Sequence, residues 1–361
     1  MGSKKIHKNP SGGRQNFIYL STSVQAVRFW ARGTGCRARG PSQRRRKGEE
    51  IVAETLRKIQ ENIQRVLVGQ GRVTDLLLTA LLARGHVLLE DVPGMGKTVL
   101  ARSLAKSVSA EFGRVQFTPD LLPTDVTGLN YFDQQQSRFV FSPGPVFCNI
   151  LLADEINRAT PRTQSSLLEC MAEGQVTVDG VTRELEPPFF VIATQNPVET
   201  LGTYPLPEAQ LDRFLMRVSM DAPDLAGEVA ILERFQHAEP LDALQPVCGR
   251  EELLALQQAA EQVKIHPALL EYMARLAQAS RSFHGVELGV SPRGTLSLMR
   301  ASRAYAFVQQ REYVVPEDIK AVAVPVLAHR LAVTGGVGSQ AQKQAVEELL
   351  QSVPVPTEDW T

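Results

Sequence analysis

The 361-residue sequence predicts an α/β fold, a parallel sheet with helices on both faces followed by a small all-α domain. Three observations predict it. Short apolar runs alternate with helical segments as far as about residue 222. A glycine-rich turn joins the first of those runs to a helix. Beyond Pro223 the strand signals stop while helical spacing continues.

Residues 1–48 carry 12 Lys and Arg and no Asp or Glu. They show no sustained periodicity and bury too little apolar area to offset their ordering entropy, so a disordered basic extension is expected. Such a segment either binds an acidic surface or nucleic acid, or is an upstream extension without a role. Ordered sequence is expected from Glu49. Ile51, Leu56, Ile59, Ile63 and Val66 approximate helical spacing, and residues 73–83 form a second apolar helix that Gly85 ends. Residues 86–90 read as a short buried strand, and 97–107 as the helix after the glycines. Further strands are expected at 115–117, 149–153, 189–194 and 214–220. Strands that alternate with helices argue for a parallel sheet buried on both faces.

Two hairpins interrupt this pattern. One pairs 129–132 with 138–141; the other pairs 175–178 with 181–183 across Asp179-Gly180, a strong turn dipeptide. Tyr131, Phe132, Phe139 and Phe141 can either contact a client or pack in the core, and core packing is the favoured expectation. In the all-α part, Pro292 and Pro316 sit at plausible helix starts. The expected division is thus a basic extension at 1–48, an α/β core at 49–222 and a helical lid at 223–361.

Composition is that of a globular protein, 43% hydrophobic and 22% charged. The net charge is zero, yet outside the first 48 residues 27 basic side chains face 39 acidic ones, a net of −12. An acidic body argues against duplex binding by the folded part. The four cysteines, Cys36, Cys148, Cys170 and Cys248, include no C-x-x-C pair and read as reduced thiols of a cytoplasmic protein. No run of about 18 apolar residues suggests a membrane span, and no secretory signal is evident at the N-terminus. The six histidines share no metal-ligand spacing.

The chemistry is carried by three segments. Gly94-Met95-Gly96-Lys97-Thr98 lies between an apolar strand and a helix. Backbone N–H groups at such a turn cradle phosphates. Lys97 would reach the β- and γ-phosphates, and the Thr98 hydroxyl would bind Mg2+. The full pattern asks for another glycine where Asp91 stands, so the motif alone remains open to an ordinary glycine-rich turn. In the second segment, a buried strand ends in Asp154-Glu155, at the sheet edge where ligands bind in such folds. Asp154 would hold Mg2+, directly or through water, and Glu155 would orient and deprotonate the attacking water. The third is Ala193-Thr194-Gln195-Asn196-Pro197, where Asn196 can position that water or simply begin a turn.

Together these segments resemble MoxR-family AAA+ ATPases of the P-loop NTPase fold. The resemblance runs through Val68-Gly69-Gln70, Glu90 to Thr98, and Asp154-Glu155-Ile156-Asn157-Arg158-Ala159. It continues in Ala193 to Pro197, Tyr204 to Phe214 and Ser291-Pro292-Arg293, covering residues 50–355. It implies ATP and Mg2+ as cofactors, with Val68, Gly69 and Gln70 at the adenine. Pro93, Gly94, Met95, Gly96, Lys97, Thr98 and Val99 would lie along the phosphates. Asn196 becomes the first sensor, Arg293 the second, and Arg213 an arginine finger given to a neighbouring subunit, with an ion pair to Asp212 or a nearby acid as the structural alternative. Arg158 and Arg162 could also reach across an interface.

The same resemblance implies a hexameric ring, a von Willebrand factor A-domain partner and a chaperone-like action on a protein client. Competing functions are an AAA+ motor on DNA, a magnesium chelatase-like ATPase subunit, and a nucleotide-binding scaffold without turnover. Glu155 and Arg213 speak against the last.

Overall fold

The computed structural model describes residues 41–90, 94–196, 202–236, 239–334 and 339–356, with side chains from Glu54 onward. The chain divides into two units, Met1–Ile51 and Val52–Thr361. Of the first, residues 41–51 are described and are helical, as the opening turns of α1 (Pro41–Val66). Helix therefore begins inside the segment expected to be disordered. Arg, Lys, Gln and Glu are good helix formers, so helix can extend through a stretch with no apolar period. The remainder of that extension, 1–40, lies outside the described residues.

The second unit holds the fold. Leu56, Ile59, Ile63 and Val66 of α1 are buried at helical spacing. Helix α2 (Gly71–Leu82) is buried on nearly every side. Strand β1 (Val87–Glu90) leads through the glycine turn to α3 (Lys97–Ser107). Then come β2 (Phe112–Gln116), the short α4 (Pro123–Thr127), and the hairpin β3 (Gly128–Asp133) and β4 (Arg138–Pro143). Strand β5 (Ile150–Asp154) is followed by α5 (Pro161–Glu173), the hairpin β6 (Gln175–Val178) and β7 (Val181–Glu184), and strand β8 (Phe190–Gln195). A short turn of helix α6 (Glu208–Leu211) precedes β9 (Met216–Val218).

Five strands form one parallel sheet in the order β2-β5-β8-β1-β9. Alternate residues of its strands enter opposite cores, as the pleat requires. Val87, Leu89, Ile150, Leu152, Phe190 and Ile192 point to one side; Leu88, Leu151, Ala153, Val191 and Ala193 point to the other. Both faces are covered, which is why β1, β5 and β8 read as unbroken apolar runs. The edge strands were less legible. In β2 only Val115 is buried, and β9 has three residues.

After α7 (Leu225–Phe235) the chain is helical through α8 (Arg250–Glu261), α9 (Pro267–Ser280), α10 (Pro292–Val308), α11 (Pro316–Leu327) and α12 (Ser339–Ser352). Pro292 and Pro316 each open a helix, as expected. These helices share one apolar cluster with α1, α2, α3 and one face of the sheet. The region is not wholly helical. Val286–Leu288 and Ala332–Val333 pair antiparallel as β10 and β11, segments too short to leave a period in the sequence.

Both predicted hairpins form, and Asn130 donates to Asp179 at 2.7 Å to join them. Their aromatics overturn the core-packing expectation. Tyr131, Phe132 and Phe139 are exposed, Phe139 by 73%. Phe132 and Phe139 meet edge to face at 5.4 Å, and Arg183 lies 3.8 Å over the Phe141 ring. A two-stranded ribbon standing off the sheet cannot bury both faces, so its rings pack on one another.

Candidate active site

The phosphate-loop candidate is assembled by two left-handed glycines. Gly94 has φ +91° and Gly96, the residue capping α3, has φ +83°. Glycine enters this region without strain. The turn leads into the first residues of α3, whose leading N–H groups have no intrahelical partner. Lys97, Thr98 and Val99 occupy that first turn. Asp91, Val92 and Pro93 lie outside the described residues, so the departure at Asp91 does too.

Because β8 lies between β5 and β1, the ends of three neighbouring strands bring the predicted residues to one edge. Asp154 ends β5, Thr194 and Gln195 end β8 with Asn196 just beyond, and Glu90 ends β1. Thr194, buried, is the hinge of the acidic pair. Its hydroxyl donates to Asp154 Oδ1 at 2.7 Å and accepts from the Glu155 N–H at 2.9 Å. Arg114 donates to the other Asp154 oxygen at 2.8 Å. Glu155 sits in the left-handed region at φ +55°, uncommon for a residue with a Cβ and frequent where a site holds backbone strain. Its Oε2 accepts from Gln116 Nε2 at 2.7 Å and pairs with Arg158 Nε at 3.0 Å. Arg158, which the sequence offered as one that could reach across an interface, pairs within this chain with the carboxylate three residues back.

Asn196, just beyond the end of β8, is buried. Its neighbour Gln195 donates to Glu90, whose second oxygen faces Arg217 at 3.5 Å. Arg217 in turn donates to Gln342 of α12 at 2.6 Å. Burial pulls the Arg217 guanidinium below its ordinary range, and the Glu90 charge opposes that fall. Glu90 and Gln195 lie in motif segments of the sequence, but nothing there paired them with each other or with Arg217 and Gln342.

The adenine candidates form a bend. Gly69 has φ +73°, and Gln70 Nε2 donates to the Asp221 carbonyl at 2.8 Å, tying the bend to the chain after β9. A Cβ built on Gly227 of α7 would stand 3.8 Å from Val68.

The two arginines from the resemblance do not join the acids within this chain's described contacts. Arg213 is exposed and donates to the Leu168 carbonyl at 2.7 Å. Asp212, offered as its structural partner, is held instead by Arg330 at 2.7 Å and Arg293 at 3.7 Å. Arg330 was missed because a lone arginine in a sequence reads as surface; here it is nearly fully buried. Among the described residues no group of three or more His, Cys, Asp or Glu gathers as a metal site. Thr98 lies on the first turn of α3 and Asp154 ends β5.

A left-handed glycine turn before a helix, paired acids on a neighbouring strand and a polar residue on the strand between them define a P-loop ATPase of the AAA+ class. The model of the ATPase family associated with various cellular activities matches residues 86–216, and the AAA lid domain model matches 278–352. Chaperone MoxR1 of Mycobacterium tuberculosis is 40% identical over 85% of this chain and 85% of its own. YeaC of Bacillus subtilis is 48% identical over 86% of this chain and 98% of its own. A crystal structure from Cytophaga hutchinsonii is 36% identical, with a TM-score of 0.80 over 88% of this chain and all of its own. The chain belongs to the MoxR family of AAA+ ATPases.

Proposed function

We propose that this chain hydrolyses ATP with Mg2+ to remodel or mature a protein client, as a ring-forming chaperone working with a von Willebrand factor A-domain partner. One observation carries the catalytic part: Asp154-Glu155, Asn196 and the Gly94–Thr98 turn share the carboxyl edge of three adjacent strands. Thr98 and Asp154 would hold Mg2+, and Lys97 the β- and γ-phosphates. Bound Mg2+ supplies neutralisation of phosphate charge. Glu155 would take the proton of the attacking water, with Asn196 orienting that water. Val68, Gly69, Gln70, Pro93, Met95 and Val99 would line the nucleotide. Arg293 would meet the phosphates from a lid at 223–361, moving on a core at 49–222. Arg213, exposed on the surface, would serve a neighbour's ATP in a hexamer.

The remodelling part is supported by a relative whose name is chaperone and by the exposed Tyr131, Phe132 and Phe139 on paired hairpins. Such an apolar patch suits contact with a partly unfolded chain. A cytoplasmic location fits the thiol reading. Among the described residues no helix is long and apolar enough to cross a membrane.

The test is capture by a Glu155→Gln variant, which should bind ATP and accumulate assemblies. In ATP and Mg2+ it should form a ring and retain protein clients and a von Willebrand factor A-domain protein, released in ADP. A wild-type chain that releases no phosphate with Mg2+, or a variant that retains duplex DNA instead, would overturn the proposal.

A further inference from the structure

We propose that Asp212 is a positioning residue that detains Arg293 in a releasable pair until a triphosphate competes for it. Resting on Arg293 as the lid's phosphate contact and Arg213 as the finger, it ties the first to a carboxylate on the turn that carries the second.

The two arginines on Asp212 are held unequally. Arg330 reaches it from beneath the first turn of α10, through a gap that exists because residue 294 is glycine. A Cβ there would come within 2.9 Å of Arg330 Cδ. Arg330 is 3% exposed and donates to Asp212 Oδ1 at 2.7 Å, to the Phe214 carbonyl at 2.7 Å and to the Leu215 carbonyl at 3.2 Å. These bonds bracket Arg213 on both sides and fix the turn that carries it. Arg293 stands on the same first turn of α10 and faces the other oxygen, Oδ2, at 3.7 Å, with its side chain 70% exposed. An exposed pair at that distance is weak and screened by salt.

The asymmetry makes release inexpensive. Removing the partner of a buried charge is strongly destabilising because the remaining charge is left uncompensated. Here Arg293 can leave while Arg330 stays, so Asp212 never loses its counter-ion. A γ-phosphate, bearing more charge than Asp212, then draws Arg293 from a carboxylate that belongs to the finger's own turn. ADP, which lacks that phosphate, leaves the pair in place.

The experiment measures ATP and ADP affinity by titration calorimetry in the full chain carrying Glu155→Gln, which prevents turnover. Asp212→Asn keeps an acceptor for Arg330 and removes the charge that detains Arg293. ATP affinity should rise about threefold to fivefold, near the upper reach of an exposed pair, with ADP affinity unchanged. Asp212→Glu, which keeps the charge, should retain the wild-type ratio of the two affinities. Asp212→Ser repeats the measurement if the asparagine variant does not fold. With Arg293→Ala in addition, Asp212→Asn should change neither affinity. A parallel shift of ATP and ADP, no shift in ATP, or a shift that survives Arg293→Ala overturns the inference. If Arg293→Ala alone leaves the ratio at the wild-type value, Arg293 is not the phosphate contact and both fall. If that variant loses ATP affinity while Asp212→Asn gains none, the inference alone falls.

Discussion

The side-chain amide of Gln116 on β2 donates a 2.7 Å hydrogen bond to Oε2 of Glu155, the oxygen that also faces Arg158. The bond occupies an oxygen that a general base would turn to its water. Gln116→Leu removes that donor without adding charge. Basal phosphate release should rise by roughly threefold or more, while ATP affinity stays within about twofold, since two strands, β5 and β8, lie between the strand of Gln116 and the one that leads to the phosphate turn. An unchanged rate would mean that Gln116 does not restrain Glu155.

Lys97 and Glu155 should separate binding from chemistry. Lys97→Ala is expected to abolish ATP binding, and Glu155→Gln to keep it while slowing hydrolysis by about a hundredfold or more. Equilibrium binding and phosphate release, measured on both variants, check the assignment. Near-native affinity in the first, or a turnover above a few tenths of wild type in the second, would contradict it.

Arg213 is exposed and donates to the Leu168 carbonyl. Arg213→Ala should bind ATP and hydrolyse it poorly, because a finger stabilises charge that grows in the transition state. Mixed with Lys97→Ala subunits that exchange, it should regain some hydrolysis at interfaces pairing a good loop with a good finger. Full activity of Arg213→Ala by itself would end the finger assignment and move attention to Arg158 and Arg162.

The hairpin rings should matter little for stability. Phe139→Ser is expected to cost less than about 1.5 kcal/mol, the most that an aromatic pair adds. Phe117→Ala, which empties a fully buried position, should cost about 3–5 kcal/mol. Chemical denaturation of both variants checks this. Comparable losses would put Phe139 in a core after all.

Two buried histidines should tie stability to pH. Burial pushes His86 down to about 4, and His329 well below its ordinary value. Unfolded, each binds a proton near pH 6.5. The folded state binds fewer protons, so the stabilisation is fully present above pH 6.5 and is lost as pH falls toward 4. His86 alone contributes roughly 3 kcal/mol over that interval, at 1.36 kcal/mol per unit. Denaturation midpoints should fall from pH 7 to pH 5, less steeply in His86→Phe. An identical slope in that variant would show that His86 does not carry the effect.

The sequence by itself determined the elements whose signal is local. β1, β5 and β8 are covered on both faces and so appear as unbroken apolar runs; the Gly94–Thr98 turn and the acidic end of β5 follow from them. Chain order alone then places Lys97, Asp154 and Asn196 at the edge of one sheet. Only the tertiary structure decided what those residues touch. Gln116 meets Glu155 because β2 and β5 pair in a register that no local pattern encodes. Arg330 reaches Asp212 across 118 residues of chain, buried by α10 and by the absence of a side chain at Gly294. Tyr131, Phe132 and Phe139 are apolar enough for a buried hairpin, yet stay exposed in the described fold. An apolar period reports what a segment can bury; whether anything arrives to bury it depends on residues far away in sequence.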